Sequence, residues 1–212
     1  MKSTWHRAFD KTITNETVGN IPEDIDRYFI RHTQYKPRDL QYFCAKAKEI
    51  AQTHEDYACL PINSKVIRKS VRQMTRELVD NFFLEYQYEL PFIKKLINHF
   101  SGHDNIFDYS NDYSAPSLFQ TVSKFVNNEK IDIEPIKLIR TLYNIGFIGG
   151  ITSAPDDIMN DLPHRKISGI DYWFRFACYD QDFDISCAPK IAIHPMFNEF
   201  LHLSINKYII VG

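Results

Sequence analysis

"EPIKLIRTLYNIGFIGGITS", residues 134–153, decides how the second half of the chain folds. Glu134-Pro135 opens a helix, because a proline in the first turn loses an N–H that the helix does not need there. The helix runs to about Asn144. After the break at Gly146, "GFIGGITS" reads as a strand. Working outward, Pro91 starts another helix, "PFIKKLINHF", that ends near Ser101-Gly102. "HDNIFDYSNDYSA" is polar and turn-rich and reads as a loop. Ser114-Ala-Pro116 then starts a helix that runs through about Asn127. Downstream, "APDDIMNDLPHRKISGI" is a long polar excursion, "DYWFRFACY" an aromatic strand and "HPMFNEFLHL" a short closing helix.

The order is helix, helix, helix, strand, loop, strand, helix. It predicts a winged helix over residues 87–212, a three-helix cluster with a small two-stranded wing. Residues 1–86 read as an all-helical subdomain ending in a long connecting helix. "EDIDRYFIRHTQ" (23–34) is a short amphipathic helix with Ile25, Tyr28 and Phe29 on one side, and Lys36-Pro37 stops it. Pro37 suits the first turn of a second helix, which runs to about Thr53 with Leu40, Phe43, Cys44, Ala47, Ile50 and Ala51 at helical spacing. "LPINSKVIRKSVRQMTRELVDNFFLEYQYEL" opens on an Asn63/Ser64 cap and continues for about six turns. Ile67, Val71, Met74, Leu78 and Phe82 mark its buried side. The predicted fold class is therefore mainly α, a helical unit followed by a winged helix.

Composition narrows the function classes. The 212 residues are 44% hydrophobic and 14% aromatic, so the chain is globular rather than disordered. A formal net charge of −2 gives no case for whole-protein attraction to nucleic acid or an acidic membrane. Charge is uneven: residues 1–100 carry a basic excess and residues 146–212 an acidic one. Cys44, Cys59, Cys178 and Cys187 include no close-spaced pair of the kind that zinc sites use. "MKSTWHRAFDK" lacks the apolar core of a cleavable signal, and no run approaches the roughly 20 apolar residues that span a bilayer. The expectation is a reduced cytoplasmic protein, without membrane contact, whose cysteines are mostly buried filler.

Five segments recur together in a known order: "RHTQYKPRDLQYFCAKAKEIA", the "PIN…VI" helix, "ELPFIKKLINHF", "LIRTLYNIGFIGG" and "IHPMFNEFL". As a set they resemble the C-terminal portion of a family of bacterial P-loop ATPases related to the STAND NTPases and to the origin-recognition type of AAA+ protein. In those proteins a nucleotide-binding core precedes a helical lid and a winged helix. The resemblance covers about Trp5 to Leu203. It implies a regulatory lid and winged helix, a bacterial setting, and ATP and Mg²⁺ held by a P-loop core rather than by these residues. No G-x-x-x-x-G-K-[ST] occurs here, and no apolar strand ends in paired acids. The expectation is a chain that is no enzyme by itself, either part of a longer protein or a naturally reduced form. The resemblance also gives Arg38, in "YKPRDL", the place of the sensor-2 arginine that reaches a nucleotide's terminal phosphates. A guanidinium suits that task, since it pairs bidentately with phosphate and never titrates. The plain reading of Arg38 is a surface ion pair with Asp39 or Asp24.

Two sets of side chains are candidates for binding a partner or nucleic acid. Lys65, Arg68, Lys69, Arg72 and Arg76 fall within an arc of roughly 100° on the long helix. They suit DNA phosphate, an acidic docking partner, or plain solvation. On the helix in the recognition position, Lys137, Arg140, Thr141 and Asn144 face outward, with Glu134 opposing them. Asp171, Asp180, Asp182 and Asp184 flank the wing, and Asp156, Asp157 and Asp161 lie in its loop, which disfavours a phosphate backbone. The leading expectation is a protein-docking winged helix; the alternative is a DNA-binding one. His99 and His103 lack a third ligand nearby, and Asp180-x-Asp182-x-Asp184 lacks the glycine and glutamate of a calcium loop. Trp5 and Phe9 read as an anchor for the first helix, and Tyr172, Trp173, Phe174 and Phe176 as strand packing.

Overall fold

The computed structural model describes residues 8–15, 21–34, 36–53, 61–109, 117–152, 164–167, 170–178 and 180–203. Trp5, Cys59, Ser114, Asp156, Asp157 and Asp161 lie outside them, as do the side chains of Asp171, Tyr172 and Trp173. The chain is mixed α/β and divides into two compact units, Met1–Leu84 and Glu85–Gly212.

The first unit is not all-helical. Strands β1 (Thr12–Asn15) and β2 (Ile21–Asp24) pair antiparallel, with Thr12 opposite Asp24, ahead of three helices. These are α1 (Ile25–Arg31), α2 (Pro37–Thr53) and α3 (Ser64–Tyr86). The expected starts at Pro37 and Ser64 and the ends at Thr53 and Tyr86 match. Every N–H of the first turn of α3 is satisfied. Asp10 Oδ2 accepts from Ser64 N (3.0 Å), Asn63 Oδ1 from Lys65 N (3.0 Å) and Val66 N (3.1 Å), and Asn63 O from Ile67 N. The core gathers Ile13 of the hairpin, Ile25 and Phe29 of α1, Phe43 and Ala47 of α2, and Ile67, Val71 and Met74 of α3. Phe9 meets Phe29 edge to face at 5.4 Å. The hairpin buries only one large residue, Ile13, among the described side chains of its strands, which hides it from a pattern search.

The second unit begins with α4 (Ile93–Asn98), then β3 (Ile106–Asp108), α5 (Leu118–Glu129) and α6 (Pro135–Asn144). β4 (Ile148–Thr152), β5 (His164–Ile167), β6 (Ile170–Phe176) and β7 (Lys190–Ile193) follow. Where a two-stranded wing is expected, five strands form one antiparallel sheet in the order β3-β7-β4-β6-β5. The extra strands are β3 and β5, in stretches that read as loops, and β7, where the sequence pattern predicts no element. The closing helix is also shorter than expected: Pro195–Phe197 makes one 3-10 turn, capped where His194 Nδ1 accepts from Met196 N (3.3 Å). His202 at φ 50° marks the left-handed backbone that ends the following turn.

Helix α6 starts where Glu134-Pro135 predicts, and Leu138, Ile139, Leu142 and Tyr143 turn inward. Gly146, at φ 78°, turns the chain from α6 into β4. An aromatic column of Phe100, Phe147 and Phe197 fills the core beneath, with ring centres 5.3 and 4.9 Å apart. β4 carries two glycines because two rings lie on it. A Cβ at Gly149 would stand 2.5 Å from Cδ1 of Phe176, and one at Gly150 2.4 Å from Cε1 of Phe183.

Candidate interaction surfaces

The outward face of α6 holds the four expected residues. Lys137, Arg140 and Asn144 are exposed, and Thr141 is half-buried with its hydroxyl donating to the Lys137 carbonyl at 2.9 Å. Lys137 Nζ pairs with Glu134 at 3.0 Å. Arg140 lies within electrostatic reach of Asp184. Hydrogen bonds from the Ser186 hydroxyl (2.7 Å) and N–H (3.0 Å) hold the Asp184 carboxyl below the usual carboxylate range, and Arg140 acts in the same direction. Tyr109 stands by the same group; burial first, then Asp184, pushes its phenol upward, with Arg140 opposing. Of the two cations of this face, Lys137 is ion-paired with Glu134, and Arg140 lies only within longer-range electrostatic reach of Asp184.

Not all of the expected acids project charge. Asp180 is largely buried and tied to Arg175, whose Nε donates to Oδ2 at 2.8 Å, while the Arg175 guanidinium covers the Phe183 ring at 4.0 Å. The Asp180 carbonyl accepts from the Tyr143 hydroxyl. With Asp180 held by Arg175 and Asp184 by Ser186, the D-x-D-x-D run does not converge on a cation, and no metal-binding group of three side chains forms among the described residues. His99 and His103 have ring centres 6.5 Å apart. Burial, then His103, lowers the His99 pKa. His99 lines a shallow cleft of about 380 Å³ with Lys95, Asn98, Phe125, Asn128 and Glu129, and the Lys95–Glu129 ion pair (2.8 Å) spans it.

In the first unit the basic row of α3 divides. Arg68 is partly buried and its Nη2 donates to the Thr14 carbonyl at 3.0 Å, fastening β1 to the helix. Lys65, Lys69, Arg72 and Arg76 are exposed. Arg38 stands in the first turn of α2 with its side chain 78% exposed, and Asp39 is 3.9 Å away, so the plain ion pair is at the outer limit of contact. Asp39 itself is buried, which the sequence did not signal. The cysteines depart from expectation as well. Cys187 is exposed, whereas Cys44 and Cys178 are half-buried, and burial pushes the Cys44 thiol up. No helix among the described residues is long and apolar enough to cross a membrane.

Comparison with protein-family models, with curated proteins and with solved structures finds no match to this chain.

Proposed function

We propose that the chain is a non-catalytic interaction module whose second unit is a winged helix built to dock on protein. Its order, helix–strand–helix–helix–strand–strand–strand–strand, supports this reading, with β3, β7 and β4 taken as the basal strands and β5–β6 as an enlarged wing. The observation that carries the docking assignment is the presence of carboxylates, Glu134 and Asp184, near the cations of α6. A recognition helix that enters a groove needs uncompensated cations, but Lys137 is ion-paired with Glu134 and the Asp184 carboxylate lies within electrostatic reach of Arg140. A carboxylate facing phosphate costs affinity, whereas a mixed polar face suits the rim of a protein interface.

The resemblance of the sequence to STAND and origin-recognition ATPases makes a P-loop core, in cis or in trans, the partner of choice. On this reading Arg38 is the residue that meets the nucleotide. Its exposed guanidinium, next to a helix start, is free to swing toward a docked core. ATP and Mg²⁺ then belong to that core.

The test compares Arg140→Glu with the parent chain in two assays: retention of a separately purified P-loop ATPase from the same cells, and binding of a duplex DNA. The reading predicts that Arg140→Glu weakens the ATPase complex at least about tenfold, as loss of a hydrogen-bonded interfacial charge does, and leaves DNA affinity unchanged. Loss of DNA affinity with the ATPase complex intact would establish the DNA-reading alternative instead.

A further inference from the structure

We infer that the turn between α4 and β3 is a pH-sensitive latch on the C-terminal segment. Protonation of His99 and His103, one on each side of Ser101-Gly102, releases the Leu201 carbonyl that this turn holds. The device uses no residue of the α6 face, so it succeeds or fails independently of the docking assignment.

The latch is two donors on one acceptor. The Gly102 N–H donates to the Leu201 carbonyl at 2.9 Å, and the Ser101 hydroxyl donates to the same oxygen at 3.1 Å. Gly102, at φ 75°, takes the left-handed conformation that this turn requires. His103 N closes the turn on the Phe100 carbonyl at 3.2 Å. The held segment is part of the core: Leu201 and Phe197 are fully buried, and Phe197 packs on Phe147, which in turn meets Phe100 at the foot of the turn.

Both imidazoles sit where charge is unwelcome. His99 lies against Phe125 at 5.5 Å and His103 against Phe107 at 6.1 Å, with the two rings 6.5 Å apart. Burial is the first cause that lowers the His99 pKa and His103 the second; the Thr121 carbonyl of α5 opposes them, and Lys124 of α5 adds to them. Lys95 of α4 is engaged with Glu129 of α5 at 2.8 Å. Asp104 follows His103 in the turn, and Glu199 and His202 lie on the held segment. Charging both rings beside Lys124 gathers like charges around one turn, and hydration on opening relieves them.

A histidine that binds its proton less tightly in the closed state favours closure fully above its ordinary pKa of about 6.5. It loses that contribution as pH falls below this value, because the open state then takes up the proton. Between about pH 7.5 and about pH 5.5, one such histidine can raise the opening equilibrium by up to about tenfold.

The test is amide hydrogen exchange on the intact chain at those two pH values, corrected for intrinsic rates. The Gly102 amide should open severalfold more often at the lower pH. The Ile145 amide, held by the Thr141 carbonyl at the end of α6, should not change. His99→Gln has no charge to gain and should remove most of the pH dependence. Lys124→Gln, at an exposed position of α5, should reduce it without altering the turn. Equal Gly102 protection at both pH values, a parallel loss at Ile145, or a pH dependence that survives both substitutions would overturn the inference.

Discussion

The hydroxyl of Tyr143, near the end of α6, donates a hydrogen bond to the backbone carbonyl of Asp180, just beyond β6. That bond ties the outward-facing helix to the turn whose carboxylate is neutralised by Arg175 and whose Phe183 covers Gly150. The outward face of α6 therefore rests on a turn that is itself held by the Arg175–Asp180 pair.

Tyr143→Phe removes the bond and leaves a shielded carbonyl behind, so it should cost about 1–3 kcal/mol at neutral pH. Burial, with Asp180 adding and Arg175 opposing, pushes the Tyr143 phenol well above its ordinary value. A group whose proton is held more tightly in the folded state stabilises fully below its unfolded pKa, about 10, and loses that contribution as pH climbs beyond it. Urea unfolding should therefore show parent and variant far apart near pH 7 and drawing together near about pH 11. A gap that stays constant would contradict the assignment.

Gly150→Ala drives a Cβ to within 2.4 Å of the Phe183 ring. Overpacking of this kind costs about 1–3 kcal/mol. Pairing the change with Phe183→Leu should recover part of the loss but not all of it, because the Cβ of Ala188 stands 2.9 Å from the added methyl as well. Thermal melts of the single and double variants check this.

Asn63→Ala strips the acceptor from two N–H groups at the start of α3. The expected cost is about 1 kcal/mol, typical of a lost helix cap. Hydrogen exchange at Lys65 and Val66 should rise selectively, while Ser64, held by Asp10, stays protected.

Arg38→Ala should leave stability within about 0.5 kcal/mol of the parent, because a 3.9 Å pair with one partner at 78% exposure contributes little. Its effect should appear only beside a P-loop core, as slower ATP turnover with nucleotide affinity weakened. A loss of fold on Arg38→Ala would mean that the arginine is structural.

Much of the helical frame was legible because punctuation residues announce it. Pro37, Asn63 and Pro135 each stand where a helix begins, and the apolar spacing of Ile67, Val71 and Met74 survives as a buried stripe. The short strands were not. "TITN", "IFD" and "KIAI" hold three or four residues each, and their pairing partners lie outside any local window: Ile106 faces Ala192, and Ile148 faces Ile193. "HPMFNEFLHL" reads as a helix but forms turns, because apolar spacing cannot tell a helix from turns that bury Met196, Phe197 and Leu201 separately. Of the candidate surfaces, sequence spacing placed both cationic rows on helix faces. What it could not supply were the tertiary partners, Asp184 beside Arg140 and the Thr14 carbonyl under Arg68.

The most direct measurement of the docking assignment is photocrosslinking in living cells, with a benzophenone side chain placed at Asn144. From Asn144 the account predicts a covalent adduct with a P-loop protein or P-loop segment, identified by mass spectrometry, and no nucleic-acid adduct. A nucleic-acid adduct from Asn144 would contradict the docking role of α6 and establish it as a DNA-reading helix.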